Sequence, residues 1–438
     1  MLHRRNFARR NHTMHNNQKM TDMKRLLLAG LMVLGMMAAP VKVMGQTTSN
    51  LLPESSAPYG TYQVEGTAGV KWRVYGTNYT QLLMQSTASQ TTVTNDWNIT
   101  SGSTTMGVLR EKITYASLSY YEGSSRIWTI GDDAFNGFKN LQSVYLPEKK
   151  SVTIGARAFV GCDNLQSVSG MDYVVEIGEE AFNETKISFS ELGTKATASG
   201  NIGDLAFYNC TGIQSLTINH ISSIGLNAFG FCSNLYYLTL EDYVYTVTNN
   251  AFAGCFNLRE IHLGQNVHLA SAAVFPSNLE YLNEITVSTN NEDYSGTGNC
   301  LVLKSDYGLL IGTNNSVIPN TVKYIAPNAF LNRTKLSSIN IPASVTKIYA
   351  NAFDGCTNLR EVWCEAETPA SLSTNSFANI SSNAVLYVPT IEAVAAYEAS
   401  TWKTYFSEIK IGKKEENGMC WGLIPYGTGT GKYTLWIS

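Results

Sequence analysis

One hexapeptide returns throughout the chain: IGDDAF at Ile130, IGARAF at Ile154, IGEEAF at Ile177, IGDLAF at Ile202 and IGLNAF at Ile224, with looser copies VTNNAF at Val247, IAPNAF at Ile325 and IYANAF at Ile348. Successive starts lie 24, 23, 25, 22 and 23 residues apart, and the last pair again 23. A fixed period of this length marks an array in which each unit is one coil of a solenoid. Such a unit cannot fold alone. About seven apolar side chains at roughly 1.5–3 kcal/mol each do not offset about 1–2 kcal/mol of backbone ordering per residue, so units stack or stay unfolded.

A second phrase follows the first at fixed offset, as in CSNLYYLTL from Cys232 and CTNLREVWC from Cys356. Its last residues alternate apolar and polar, the period of a strand. One unit therefore reads as a strand sending Leu and Val inward, an extended piece ending at the Ile of I-G, and a helical turn A-F-x-x-C that buries Ala, Phe and Cys. Glycine after Ile suits a turn with a permissive backbone. The Asn before Leu, at Asn140, Asn164, Asn234, Asn257 and Asn358, can bond its side chain to nearby backbone in a tight loop.

The pattern divides the chain. Residues 1–45 read as an N-terminal extension and secretory signal: Lys24 and Arg25, an apolar run over 26–39, then cleavage after Gly45. That run is short for a membrane span of roughly 20 residues, and the first cysteine is Cys162, so no lipidation site follows it. Residues 46–125 look like a β-rich cap, and 126–412 form the repeat array. The array carries an inserted hairpin at about 288–322, turning around Ser305 to Gly308, and a closing helix at 390–406 with Thr390 as N-cap and Val394, Tyr397 and Trp402 over the last coil. The unit at Ile177 degenerates, with Thr185 in place of Cys and Leu192 reached late. Residues 413–438 form a tail ending in a strand-like run.

Removing residues 1–45 takes away 8 of 31 basic and 1 of 34 acidic residues, leaving 23 against 33 and a net charge of −10. An acidic mature chain argues against nucleic acid as partner.

The joined phrases I-G-x-x-A-F-x-x-C-x-N-L-x-S-V-x-L, the prolines Pro147 and Pro342, and the closing segment with Pro369, Pro389, Tyr397, Trp402 and Phe406 resemble the BspA-like leucine-rich-repeat family of bacterial surface proteins. The resemblance covers roughly residues 126–410. It implies a β-dominated α/β repeat solenoid, right-handed, with a parallel sheet on one face and short helical turns. For some members it implies adhesion to matrix proteins, host cells or other microbes, and it transfers no catalytic residues.

Cys162, Cys210, Cys232, Cys255 and Cys356 share one repeat position, at which Phe138, Thr185 and Arg333 also occur. A position that accepts Phe and Thr reads as a packing site for a buried thiol. Pairing Cys210 with Cys232 or Cys232 with Cys255 is the less favoured alternative, although adjacent strands approach closely enough for a disulfide. His220, His262 and His268, the only histidines after residue 45, sit in no metal-binding spacing, and no cofactor motif occurs. The run Gly427, Gly429, Gly431, Lys432 lacks the first glycine of a phosphate loop, since Tyr426 stands there.

The residue between the last two apolar positions of the strand phrase points outward, so Tyr145, Ser169, Thr217, Thr239, His262, Thr286, Asn340 and Trp363 should form one continuous row. With Tyr236, Arg259 and Arg360 beside it, this row is the candidate partner-binding face, because Tyr, Trp and Arg are enriched at binding hot spots. The expected function is non-catalytic adhesion to an extracellular protein or another microbial surface. The alternative is a polysaccharide-binding or polysaccharide-active solenoid, for which carboxylates such as Glu241, Asp242 and Glu260 would have to converge about 5–10 Å apart.

Overall fold

The phenylalanine of each A-F phrase lies face to face with that of the next. Ring centroids of Phe135, Phe159, Phe182, Phe207, Phe229, Phe252 and Phe275 are 4.8–5.7 Å apart with planes within 19° of parallel. That spacing is the separation of neighbouring strands, so the column records the advance of the solenoid per coil. Phe330, Phe353 and Phe377 form a second column, spaced 4.8 and 4.7 Å.

The computed structural model describes residues 110–118, 128–147, 151–196, 198–414, 419–425 and 433–437, with strands Gln63–Glu65, Val70–Tyr75, Gln81–Ser86, Thr92–Val93 and Asn98–Ile99 before them. The expected secretory signal over 1–45 lies outside the described residues. The fold is a parallel β-solenoid of about twelve coils. One face carries the strand phrases, and the other carries the short strands that end at the Ile of I-G, from Thr92–Val93 to His268–Leu269 in an eight-stranded sheet.

The glycine of I-G is needed for close approach. A Cβ on Gly155, Gly178, Gly203 or Gly225 would lie 2.4–2.6 Å from atoms of the preceding coil. Positive φ falls elsewhere, and where a helical turn was expected the chain makes tight turns. Two left-handed residues recur, one before A-F, as at Asn227 and Asn250, and one before the cysteine, as at Gly161 and Gly254. This geometry frees the turn backbone to bond between coils, with Phe159 N donating to Ala181 O and Phe207 N to Ala228 O, at 2.8 and 2.7 Å.

The seven buried cysteines, from Cys162 to Cys364, are thiols and form no disulfide, and those at the repeat position share one kind of partner. Cys162, Cys210, Cys232, Cys255 and Cys356 each donate to the Phe carbonyl one coil earlier, at 3.1–3.2 Å. Burial pushes the Cys162 and Cys356 thiols up to about 12. Thr185 instead bonds the Phe182 carbonyl of its own coil at 2.9 Å. The fully buried Arg333 stands in the first coil after the insertion, so no A-F phrase lies one coil earlier to offer a Phe carbonyl. Its guanidinium reaches Gly312 O and Leu331 O at 2.9 and 3.0 Å, and burial lowers its pKa to about 10. The motif asparagines Asn140, Asn164, Asn234, Asn257 and Asn358 donate across coils, to backbone carbonyls at 2.6–3.0 Å.

The strand-phrase face is interrupted twice. Between Ser167–Ser169 and Glu191–Leu192 the only pairing is a single bridge from Ser167 to Ser188. After Glu284–Val287 comes the antiparallel hairpin of Cys300–Leu303 with Gly308–Gly312. Leu301 and Ile311 of this hairpin join the first core, while Cys300, Val302 and Leu309 join a second core that runs on to Ile409.

Helix Ile391–Glu398, capped by Thr390 Oγ1 accepting from Ala393 N at 3.1 Å, closes the second core. The single helix expected over 390–406 breaks at Ser400, which caps a separate turn, Thr401–Thr404. Trp402 seals the column, 5.2 Å from Phe377, with its indole N–H on Ala370 O at 2.8 Å. Beyond it Glu408–Lys414 joins the sheet parallel to Val385–Val388, and Cys420–Pro425 and Tyr433–Ile437 continue it antiparallel.

Candidate functional site

In the five-stranded sheet from Glu191–Leu192 to Glu284–Val287, parallel pairing sets Thr217, Thr239, His262 and Thr286 in one register. Leucine, isoleucine and valine on either side of each point into the core, which fixes these four outward. His262 Nδ1 lies 2.5 Å from Thr286 Oγ1, and its Nε2 is 3.6 Å from Glu260 Oε2. Beside the row, the Arg259 guanidinium stands 4.8 Å over the Tyr236 ring, and the exposed Tyr237 packs edge-on against Tyr236. The result is an open strip of hydroxyls, an imidazole, two tyrosines and an arginine, on a backbone held by the ladder.

The expected continuous row is corrected to three segments by the two interruptions. Tyr145 stands in an earlier sheet with Ser169 beside it in register, and packs on Tyr115 at 5.4 Å. Asn340 and Trp363 stand in a later one, in register with each other.

Trp363 does face outward, yet it is 2% exposed, so its place in an accessible binding face is corrected. Tyr387 stacks on it at 3.9 Å and Trp436 from the tail lies 6.4 Å away. Two glycines make this cover fit: a Cβ on Gly412 would come within 2.8 Å of Tyr387, and one on Gly422 within 2.5 Å of the Trp436 indole nitrogen. Asn340 donates to Glu365 Oε1 at 2.7 Å, and Arg360 remains exposed at the strand's start.

The carboxylates named for a hydrolytic site do not converge. Glu260 pairs in register with Tyr237 and Glu284, whereas Glu241 follows the far end of the neighbouring strand. Asp242 accepts from Gln265 N at 2.8 Å and is engaged in a turn. Glu260, His262 and Thr286 have the residue types of an acyl-transfer triad, but they lie along an open sheet face. There water screens every charge, and the enclosed oxyanion donors of such chemistry are not formed by the three. Among the described residues no group of three His, Cys, Asp or Glu side chains could hold a metal ion. His268 pairs with Asp293, and His220 stacks on Tyr243 at 4.5 Å, so the three histidines serve three separate places.

Aromatic side chains at the turns are a feature that the strand phrase does not reveal. Tyr208 and Phe231 fall outside that phrase and Phe256 is its variable second residue, and the signal that marks Phe231 is its repeat position, held elsewhere mostly by glycine or asparagine.

The coil period, the inward Leu and Phe columns and the parallel strand face together define a leucine-rich-repeat solenoid. The model of the BspA type leucine rich repeat region matches residues 128–201, 200–297 and 311–412 in six copies, and the chain belongs to that family. Among solved structures, the chain is similar to a leucine rich cell surface protein from Faecalibacterium prausnitzii, at 19% identity and TM-score 0.40 over 81% of this chain and 95% of that one. A leucine-rich repeat protein from Bacteroides ovatus matches at 18% identity and TM-score 0.44, over 81% and 76% of the two chains. The pneumococcal vaccine antigen PcpA matches at 14% identity and TM-score 0.32, over 80% and 98%. No curated protein matches the chain. Among the described residues no helix is long and apolar enough to cross a membrane.

Proposed function

We propose that this protein is secreted or held at the cell surface and works without catalysis, as an adhesive surface for an extracellular protein, from host matrix or from another microbe. The observation that carries this reading is the strip over Thr217, Thr239, His262 and Thr286 with Tyr236, Tyr237 and Arg259 beside it. A rigid ladder presents these side chains with their backbone already ordered, so association costs little conformational entropy. Tyrosine and arginine supply contact area and hydrogen bonds in the combination typical of hot spots. The basic leader over 24–45 and the mature charge of −10 support export and argue against nucleic acid as the natural partner.

The test is binding of the full mature chain to a panel of extracellular-matrix proteins and intact bacterial cells, beside a Tyr237→Ala, Arg259→Ala, His262→Ala variant of equal thermal stability. Retention by the parent and a loss of tenfold or more in the variant supports the strip as the adhesive site. Equal binding by both moves the site elsewhere, and binding by neither removes the adhesive reading.

A further inference from the structure

We propose that the turn edge of the three coils spanning residues 205–258 is a second binding site, for an uncharged glycan, separate from the strand-face strip. Phe231 carries the argument. It has φ of +58°, in the left-handed region, at a position that most other coils fill with glycine or asparagine, as at Gly137, Gly161, Asn209, Gly254, Asn332 and Gly355. A bulky aromatic there is strained, and the residue still leaves 46% of its surface exposed. A residue that is costly to hold and open to water needs another reason to be present.

The surroundings leave room for such rings. A Cβ on Gly254 would lie 2.7 Å from the Phe231 ring, and one on Gly230 would lie 2.9 Å from the Tyr208 ring, so each glycine clears a seat for the aromatic of the preceding coil. Tyr208 and Phe231 meet edge to face at 5.4 Å, and Phe256, two residues past Gly254, is 47% exposed. The three aromatics stand two residues before, one before and one after the cysteine of their successive coils, so together they line the turn edge.

Charge chooses the ligand. Residues 205–240 contain no Asp, Glu, Lys or Arg, and neither do 244–258, in a chain that is 15% charged. Asp204, at the border, commits Oδ1 to Leu226 N at 2.7 Å. Other turns carry Asp133 with Arg157, Glu179 with Glu180, or Asp354. An edge without cations does not select an anionic polymer, and one without either sign offers no charge complementarity to steer a protein partner. It offers aromatic faces with Asn, Ser and Thr between them. The C–H face of a pyranose stacks on the negative face of such a ring, while its hydroxyls meet carboxamides and hydroxyls such as those of Asn209, Thr211, Ser233 and Asn250.

Affinity electrophoresis of the full mature chain through gels holding mixed-linkage β-glucan, galactomannan or dextran tests this, with polygalacturonate and heparin as anionic controls. At least one neutral polymer should retard the chain and the anionic ones should not. Tyr208→Asn with Phe231→Asn, the second placing at a left-handed position the residue that other coils use there, should weaken retardation tenfold or more with the thermal transition kept. The Tyr237, Arg259, His262 variant should be retarded like the parent, which separates this site from the strand-face proposal. Absence of retardation by every neutral polymer, unchanged retardation in the asparagine variant, or dependence of matrix-protein binding on Phe231 would overturn it.

Discussion

The same strand phrase has two different fates on the two sides of the inserted hairpin. Before it, Thr217, Thr239, His262 and Thr286 stand in register on an open face; after it, Asn340, Trp363 and Tyr387 hold the same register, and Trp436 lies over Trp363 and Tyr387. The phrase decides which side chains leave the core, and what comes later in the chain decides whether they meet water. An outward position in a repeat protein is therefore a geometric property, and accessibility is a separate one that neighbouring coils and caps control.

The largest expected effect bears on whether the two arrays also differ as cores. Phe229→Ala and Phe353→Ala each remove a ring from a column and should cost about 3–5 kcal/mol. Because a solenoid's coils interact mainly with their neighbours, hydrogen exchange should show protection lost first around 202–269 in one variant and around 324–388 in the other. Uniform loss over both would mean that the hairpin couples the arrays into one unit.

Alkaline pH should act on both arrays alike. The thiols of Cys162 and Cys356 are pushed from 9.0 up to about 12 by burial, so the folded chain holds protons that the unfolded chain releases. Stability is therefore full below pH 9 and falls from there toward about pH 12, by on the order of 2 kcal/mol per thiol near pH 11. Denaturant midpoints across that range check the sign, and replacing both cysteines with Ala should lessen the fall, the remainder coming from Cys210, Cys232, Cys300 and Cys364, which burial raises in the same direction.

Trp436→Ala should erase the contrast between the faces. Losing its contacts with Trp363 and Tyr387 should cost about 1 kcal/mol and make Trp363 fluorescence accessible to acrylamide. A Phe231→Asn change should be the mildest, a gain of about 0.5–1 kcal/mol from relieved backbone strain, read as a small rise in the thermal midpoint.

Much of this architecture is legible in the order of residues alone. The hexapeptide period implies the coil, the alternation of Leu238, Thr239 and Leu240 implies the outward direction, and the tolerance of Phe138 and Thr185 at the cysteine position points to thiols. The rest depends on contacts between segments remote along the chain. Nothing in residues 361–364 announces that Gly412 and Gly422 will let tail aromatics settle over Trp363. The distinction between a helical turn and paired left-handed residues is hidden because A-F-x-x-C is too short to show a period. Phe231 is easily passed over, because an aromatic beside a buried Cys reads as core until its backbone angle is known.

Hydroxyl-radical footprinting of the free chain tests the central contrast most directly, since oxidation rate follows side-chain exposure. Rapid modification of Tyr237 and of Phe231 is expected, with Trp363 protected despite its higher intrinsic reactivity. Modification of Trp363 as fast as that of Tyr237 would show that both arrays present open faces, and would contradict the assignment of the adhesive strip to the coils before the hairpin.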